Sequence, residues 1–382
     1  MINLHQGRQN YTHLSVSLIF ALNGLAFSNW FTRIPDTQQR LGLNTAQLGL
    51  VLLGMPLGSI LIMPLTSWLL SRYGSSRTTF WSTLFCCLVI ILPTLSWSFT
   101  SLGVALLLLG FGNGSMDVAM NAMVADVEQS QKVPIMSTCH AFFSLGGFIG
   151  AAIGSLFVGL NILPPQHLLC VSLFLVVLLM VIKNALPKFT ASRQTEPLLA
   201  LPSKALIGLA VVAFCIELGE GAISDWSAVY LRNTLNAAPI LTGAGFASFS
   251  LNMTVGRFYG DSLSSKWGTS ELIRRGAIFA AIGLTLGLWT ANAFGAIIGF
   301  GCVGLGYAAI IPLLFRAAAL VPGMTPGSSI ASVASAGYFG FLIGPIAIGN
   351  VSQLVGLSWG LWLVAILAFA TFYLSPYLNF SD

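Results

Sequence analysis

Charged side chains are scarce in this sequence. They make up 7% of its 382 residues, whereas apolar residues make up 56%. An ordinary soluble domain contains about 25% charged residues, so this composition leaves too few charges to cover a folded domain in water. It therefore excludes a soluble globular protein and predicts an integral membrane protein.

Catalytic and metal-binding patterns are also missing. The sequence has no Gly-x-x-x-x-Gly-Lys-Ser/Thr phosphate loop and no His-Glu-x-x-His motif, and its 6 cysteines and 4 histidines show no metal-ligand spacing. We therefore expect no cofactor, no metal site and no enzymatic activity. Neither the filters nor the charge rings typical of channels are recognisable.

Long apolar runs fill most of the chain. A helix needs about 20 apolar residues to cross the ~30 Å hydrocarbon core of a bilayer. The first run is too long for a cleaved signal peptide. Twelve runs are long enough to span, at residues 13–31, 45–70, 78–98, 101–125, 133–160, 166–186, 204–230, 239–264, 272–290, 293–320, 327–353 and 356–376.

Four short motifs recur in the same order, 192 to 196 residues apart. They are Ser28-Asn29-Trp30 with Ser224-Asp225-Trp226, Ser71-Arg72-Tyr73-Gly74 with Ser265-Lys266-Trp267-Gly268, Gly112-Asn113-Gly114 with Gly304-Leu305-Gly306, and Gly146–Gly150 with Gly340–Gly344. The recurrence predicts an all-α membrane protein whose twelve transmembrane helices form two pseudo-symmetric six-helix halves. The halves are expected at residues 1–186 and 204–382, with a proline-containing linker at 187–203. Internal repeats around a central site are typical of secondary transporters.

Lysine and arginine lie mostly on one side of this topology. With twelve helices both termini share a side, and that side carries Arg8, Arg72, Arg77, Lys132, Lys183, Lys188, Arg193, Lys204, Lys266, Arg274, Arg275 and Arg316, against Arg33, Arg40 and Arg232 on the other. Basic loops remain in the cytoplasm. The bias predicts cytoplasmic termini in an inner membrane, and it accounts for the net charge of +5 without a nucleic-acid partner.

The two-half layout, with basic loops after the second and eighth predicted helices, resembles the major facilitator superfamily. That family's loop signature reads roughly Gly-x-x-x-Asp-Arg-x-Gly-Arg-Arg. The first copy here keeps Arg72, Gly74 and Arg77 but has serine at the Gly and Asp positions, and the second copy contains Asp261 and Lys266 with its acid displaced. The resemblance implies that these five residues form gating loops. It also implies a monomer in the lipid bilayer that binds a small-molecule substrate and protons.

The run from Gly112 to Asn121 is similar to that of YbjJ-type transporters, which are distant relatives of the fucose permease group. Fucose permeases use carboxylates in their first and fourth helices to handle protons and sugar. By this resemblance Asp117 corresponds to the acid of the fourth helix. The first helix offers only the amides Asn23 and Asn29 at comparable depth.

Polar residues form a stripe on the fourth predicted helix. Asn113, Asp117 and Asn121 are spaced four apart and therefore share one face. A charged group inside a membrane costs roughly 2.5–3.5 kcal/mol on insertion scales, so it needs a function or a partner. We favour a cavity lining with Asp117 as the proton site; the alternative is hydrogen bonding between helices.

The seventh predicted helix carries a second stripe, formed by Glu217, Glu220 and Ser224. Two carboxylates one turn apart in a low dielectric resist joint ionisation, so one is expected to hold a proton near neutral pH. The alternative is that a buried cation or helix-end backbone groups hold one glutamate. Asp225, beside Trp226, is assigned a structural position at the outer rim.

Several other residues have two interpretations. His140 is either a proton relay or a hydrogen-bonded packing residue, and Tyr307 is a candidate ligand contact. Arg257 is expected to help set the membrane orientation or to form an ion pair. If the substrate is anionic, Arg257 is instead a candidate substrate ligand. Tryptophans near helix ends are expected at the membrane interface, namely Trp30, Trp97 and Trp226.

Together these patterns predict a secondary active transporter that works by alternating access, with proton-coupled uptake of a small polar metabolite such as a sugar. One alternative is proton-driven efflux of cationic amphiphiles, because acids exceed cations in the stripes. Another is a non-transporting membrane receptor with the same fold, because the first loop signature is degraded. The expected substrate and proton site comprises Asn23, Asn113, Asp117, Asn121, His140, Glu217, Glu220 and Tyr307.

Overall fold

The chain folds into helices only, within the part that the structure describes. This computed structural model describes the backbone at residues 2–189 and 202–378, and the side chains of these ranges except at 2–10 and 261. The prediction of an all-helical membrane protein is confirmed. The helices are α1 (Ile2–Phe31), α2 (Ile34–Leu41), α3 (Thr45–Leu52), α4 (Gly54–Tyr73), α5 (Ser75–Val89), α6 (Leu92–Leu95), α7 (Phe99–Gln131), α8 (Met136–Gly159), α9 (Pro164–Ile182), α10 (Ile207–Val229), α11 (Ala244–Trp267), α12 (Thr269–Trp289), α13 (Ala293–Tyr307), α14 (Ile310–Ala319), α15 (Pro326–Val355) and α16 (Leu357–Leu374).

Eleven helical segments of the described chain are long and apolar enough to cross a membrane. Four of them consist of two successive helices, α1 with α2, α3 with α4, α5 with α6 and α13 with α14. The remaining predicted span is α11, whose 24 residues include Arg257 and Lys266. It packs against α8 and α13 within the bundle. The protein is therefore a multi-pass membrane protein with twelve helical spans.

Local sequence signals set several helix starts. Asn44 and Ser98 each form a capping box at the start of α3 and α7, which satisfies backbone N–H groups that have no partner within the helix. Pro164 and Pro326 lie in the first turns of α9 and α15, where the missing N–H of proline costs nothing. Spans therefore begin where the apolar runs begin.

The helices are arranged in two halves, α1–α9 and α10–α16. In the first half α1 packs on α8 and α4 on α7, and in the second half α10 packs on α15 and α11 on α13. The halves meet where α8 packs on α11 and where α3 packs on α15. Of the predicted linker at 187–203, residues 190–201 lie outside the described chain, so its boundaries stay a prediction.

The two ends of the bundle are distinct. The α8 and α11 helices run antiparallel, with His140 beside Arg257 and Gly159 beside Ile240. The α1 and α16 helices begin and end, respectively, on the His140 side, which we call the termini face. The end that carries the α1–α2 junction is called the opposite face.

Glycine contacts give the register of the internal repeat. A Cβ on Gly110 would lie 2.1 Å from a backbone oxygen of α4, and one on Gly304 would lie 2.1 Å from a backbone oxygen of α11. Gly112 likewise abuts α5, and Gly306 abuts α12. Gly112 therefore corresponds to Gly306, 194 residues further on, and the motif pairing of Gly112 with Gly304 was wrong by two residues.

The loops that follow α4 and α11 share an unusual backbone conformation. Gly74 has φ 80° and ψ 165°, and Gly268 has φ 79° and ψ 159°, a region that only glycine adopts readily. We expect Gly74→Ala and Gly268→Ala each to destabilise the protein by about 1–3 kcal/mol, measured as a lower Tm in detergent. Gly103→Ala is the control, because its Cβ would lie 3.6 Å from the nearest neighbouring atom, Cγ2 of Val51. Equal Tm values for all three variants would contradict this expectation.

Two tryptophans are not where the sequence predicts. Trp30 and Trp226 are 1% and 0% exposed and belong to the hydrophobic core, whereas Trp97 is 83% exposed. The interface assignment is therefore wrong for the first two. The helix bundle continues past both positions, since α2 follows α1 and packs on α10.

Candidate functional site

A cavity of about 880 Å³ lies between the two halves. Its walls come from α1, α3, α4, α5, α7 and α8 of the first half and from α10, α11, α13, α14 and α15 of the second. At one end the lining reaches Ser71, Ser75 and Gly327, which lie at the loops of the termini face. The mouth of the cavity is therefore at the termini face.

Polar contacts between the halves close the opposite face. Asp36 binds Arg33 of its own half at 2.8 Å and Arg232 of the second half at 3.5 Å. Asn233 of the second half donates to Gln38 at 2.9 Å and accepts a hydrogen bond from Gln39 at 2.8 Å. These pairs must separate before a solute can reach the cavity from the opposite face.

All eight residues of the predicted site line this cavity. On the first half, the Asn23 amide donates to Asn113 at 3.5 Å, and the Asn113 amide donates to Ser59 of α4 at 3.4 Å. The Asn121 amide donates to the Asp117 carboxylate at 3.1 Å. The polar stripe of α7 therefore faces the cavity and also makes contacts between helices, so both interpretations describe part of it.

Asp117 joins the two halves. Its Oδ2 atom accepts a hydrogen bond of 3.4 Å from the hydroxyl of Tyr338 on α15, while Oδ1 accepts from Asn121 of its own helix. The contact links a carboxylate of the first half to a hydroxyl of the second half.

Glu217 and Glu220 lie on the α10 wall of the cavity. Among the described side chains, no lysine, arginine or histidine comes within 4.0 Å of either carboxylate. Arg257 lines the same cavity and attracts both carboxylates from a greater distance, so the interpretation that a buried cation holds one of them stays a prediction. Gly337 of α15 backs Glu217 so closely that a Cβ there would lie 2.9 Å from Glu217 Cγ.

Tyr307 presents an unpartnered hydroxyl. Its side chain is 2% exposed, and its oxygen is buried without a hydrogen-bond partner in the described structure. The ring packs over Gly219 of α10, where a Cβ would lie 2.9 Å from the ring. A buried hydroxyl without a partner costs about 1–3 kcal/mol, so a solute that accepts its hydrogen bond gains affinity.

Arg257 and His140 form the wall where α11 meets α8. The Arg257 guanidinium donates to the backbone oxygen of His140 at 2.9 Å and to the Ser144 hydroxyl at 2.5 Å. The His140 ring stacks edge-on against Phe20 at 5.3 Å between centroids. Arg257 therefore belongs to the cavity wall and pairs across the halves. The side chain of Asp261, four residues further along α11, lies outside the described structure.

A family model described as the Major Facilitator Superfamily matches residues 16–314. The chain belongs to this superfamily. It is 33% identical over 354 residues to an uncharacterised MFS-type transporter of Yersinia pestis, which covers 93% of this chain and 92% of the relative. It is 29% identical over 352 residues to the membrane protein MosC of Rhizobium meliloti, which covers 91% of this chain and 85% of the relative.

Solved structures with the superfamily fold resemble the whole chain. A bacterial homologue of the human lysosomal transporter Spinster superimposes with a TM-score of 0.75 at 12% identity, covering 97% of this chain and 98% of the other. The nucleoside transporter NupG superimposes with a TM-score of 0.73 at 13% identity, covering 95% and 99%. Such identities show a shared fold.

The superfamily's signature loops lie at the termini face. The Arg72 guanidinium lies 5.8 Å from the ring centroids of both Trp68 and Tyr73. Within the described side chains, no carboxylate lies within 4.0 Å of Arg72, Arg77 or Lys266. A gating role for these loops, including Gly74 and Asp261, stays a prediction.

Two further carboxylates that were not in the predicted site line the superfamily cavity, Asp126 and Asp225. Asp126 lies near the mouth and accepts a hydrogen bond from Ser75 at 2.5 Å. Asp225 is eight residues after Glu217, the same spacing that places Asn113 and Asn121 on one face. That spacing was the signal for Asp225, whereas no helical period links Asp126 to the stripe of Asp117.

Proposed function

We propose that this superfamily member is a proton-coupled carrier that takes up a small polar metabolite, such as a sugar, by alternating exposure of its central cavity. The observation that carries the proposal is the meeting of Asp117 with Tyr338 across the two halves inside the cavity. A carboxylate at such a junction changes its surroundings whenever the halves rock, and so can bind and release a proton in step with that motion.

The glutamates of α10 support proton coupling. A buried carboxylate without a cation is costly unless it is protonated or hydrogen-bonded. Glu217 and Glu220 lie in the cavity wall without a described cation within 4.0 Å. Either of them serves as a second proton site beside Asp117.

The amides of the first half suit hydroxyl groups. Asn23 and Asn113 meet only at 3.5 Å, near the limit of a hydrogen bond. Their donors and acceptors are therefore poorly satisfied by each other and are available to a sugar or polyol. The Tyr307 hydroxyl adds an unused donor on the facing wall.

The excess of basic residues on the termini face supports an inner-membrane orientation with cytoplasmic termini. In that orientation the mouth of the cavity opens to the cytoplasm. The cycle then comprises proton and solute binding from outside, closure of the opposite face through Asp36 and Arg232, and release through the mouth.

Efflux of cationic amphiphiles is the second candidate. Among the described lining residues, five carboxylates face the cavity against one arginine. This charge balance favours cations over anions, and export by proton exchange would use Asp117, Glu217 or Glu220 as the proton site.

Proton-coupled currents from proteoliposomes on a solid-supported membrane test the proposal. Sugars, polyols, nucleosides, amino acids and organic cations are applied singly, with and without a pH gradient, and protein-free liposomes are the control. We expect one class to evoke a current that grows when the proton gradient is directed with the solute. A solute flux that is independent of pH would contradict coupling, and a current that grows with the reverse gradient would favour efflux.

A further inference from the structure

The inner end of the cavity, farthest from the mouth, has an aromatic wall. Phe31 of α1 and Phe246 of α11 meet edge to face with centroids 5.1 Å apart, Phe27 lies 6.5 Å from Phe31, and Phe249 stacks on Phe246 at 5.8 Å. All four rings line the cavity. We call this region, together with Asp225, the blind end.

Asp225 lies at the level of these rings. On the α11 side, a Cβ on Gly245 would lie 3.1 Å from the Cβ of Ser227, so the turn of α11 that carries Phe246 and Phe249 lies at the height of the α10 turn that follows Asp225. On the α1 side, Gly243 abuts Thr32, the residue after Phe31. Asp225, two residues before Ser227, lies on another face of α10, and it lines the cavity at the same height as the four rings.

The carboxylate of Asp225 has no polar partner among the described residues. In the described structure it has no hydrogen bond and no ion pair within 4.0 Å, although it faces the cavity. Arg33 and Arg232, which lie at the closed face, bind Asp36 instead. Arg257 is directed to α8, where it binds Ser144 and the His140 carbonyl.

The counterpart of Asp225 in the first repeat has a different role. Asn29 is fully buried, donates to the Leu25 carbonyl at 2.7 Å and accepts from His167 at 2.7 Å. His167 in turn accepts from Arg33 at 2.8 Å. The same motif position is thus hydrogen-bonded within the protein in the first half, whereas it faces the cavity in the second half.

A carboxylate among aromatic rings attracts organic cations in two ways. The negative charge needs a positive partner when it is removed from water, and the ring faces attract a cation within about 6 Å of their centroids through their quadrupoles. Neutral sugars and anions gain neither interaction. Quaternary ammonium groups suit such a site because their charge is spread over an apolar surface.

We propose that the blind end is a subsite for an ammonium group, quaternary or protonated, of the transported solute, with Asp225 as its charge partner and Phe27, Phe31, Phe246 and Phe249 as its wall. The proposal rests on the proposed function, in that it takes this cavity to be the transport site. It narrows the substrate class from polar metabolites in general to organic cations.

Choline and 3,3-dimethylbutan-1-ol test the subsite, because they differ only in a nitrogen or a carbon at the trimethyl centre. Binding to the full chain in nanodiscs is measured by isothermal titration calorimetry. We expect choline to bind at least about tenfold more tightly than the neutral alcohol, the size of a well-placed cation–π and charge interaction. Equal affinities for the two probes would overturn the proposal.

Single-residue variants test whether Asp225 is responsible for the preference for choline. Asp225→Asn should reduce choline affinity about tenfold and leave the neutral alcohol unchanged, whereas Asp225→Glu should retain the preference for choline. The control is Glu271→Gln, which removes a carboxylate that pairs with Arg275 at 2.7 Å outside the cavity and should leave choline binding unchanged. Unaltered choline binding by a folded Asp225→Asn protein, or equal losses in both variants, would overturn the local site.

The subsite and the proposed function can fail separately. Choline binding that depends on Asp225 without any pH-driven flux would leave the subsite standing and contradict the carrier. Proton-coupled flux of a neutral sugar, with no discrimination between the two probes, would leave the carrier standing and remove the subsite.

Discussion

Asp117→Asn is expected to reduce pH-gradient-driven solute accumulation to the level of protein-free liposomes. Asparagine has the same shape and can keep the contacts with Tyr338 and Asn121, but it cannot take up or release a proton. Exchange of labelled for unlabelled solute across the membrane, which needs rocking but no net proton movement, should continue. The measurement is therefore a comparison of accumulation with exchange in the same proteoliposomes.

The control for this variant is Asp126→Asn on the same helix. It makes the same chemical change nine residues nearer the mouth, where the carboxylate is bound to Ser75 at 2.5 Å. Accumulation should persist there. Undiminished accumulation by Asp117→Asn would remove the proton-site assignment, and equal loss of exchange and accumulation would indicate a defect in solute binding or folding.

Gly49→Val is expected to reverse the side on which the cavity opens. Gly49 of α3 meets α15 at the interface between the halves: its Cβ would lie 2.3 Å from the Pro345 carbonyl oxygen, and a Cβ on Gly349 would lie 3.0 Å from Gly49 Cα. Real Cβ atoms do not approach a backbone oxygen so closely, so the two helices must separate. Since this contact helps close the opposite face, separation favours the state that is open there.

Spin labels at Leu163 and Leu354 report this change. Both residues are exposed, at 61% and 84%, and they lie at the opposite face on different halves. For labelling, Leu163 and Leu354 are replaced by cysteine, and Cys170 and Cys302 by serine. Pulsed electron–electron double resonance should then show a longer distance between the two labels in Gly49→Val than in the parent protein. Leu50→Val is the control, because Leu50 is 51% exposed to the surroundings of the bundle. An unchanged distance between the labels in a folded Gly49→Val protein would contradict the expected separation of α3 and α15.

The fold was predictable because the bilayer imposes a simple rule. Each span must be a helix of apolar residues that satisfies its own backbone hydrogen bonds, so the apolar runs and their repetition predict twelve spans. The breaks near Leu53, Ile90 and Ala308 do not show in the hydropathy of the runs. Each lies just before a proline, namely Pro56, Pro93 and Pro312, which has no N–H to bond the carbonyl four residues earlier. The extension of α7 to Gln131, beyond the predicted end at residue 125, lies past the apolar run, where hydropathy carries no information.

The candidate site was predictable wherever one helix carries several polar groups on one face. Asn113, Asp117 and Asn121 define such a face by spacing alone. The partnership of Asp117 with Tyr338 depends on how α15 packs against α7 and α10, which no local period encodes. The different surroundings of Asn29 and Asp225 likewise depend on a residue that is distant in sequence. His167, 138 positions from Asn29, forms a hydrogen bond with Asn29 in the first half.

Three of the five carboxylates that line the cavity, Glu217, Glu220 and Asp225, belong to the single helix α10. A transmembrane voltage acts on fixed charges with about 2.3 kcal/mol per elementary charge at 100 mV. Any step that ionises one of these groups while it faces one side, and neutralises it while it faces the other, moves charge through that field. In the proposed proton-coupled cycle the membrane potential is thus a second driving force, exerted on the helix that carries these three carboxylates.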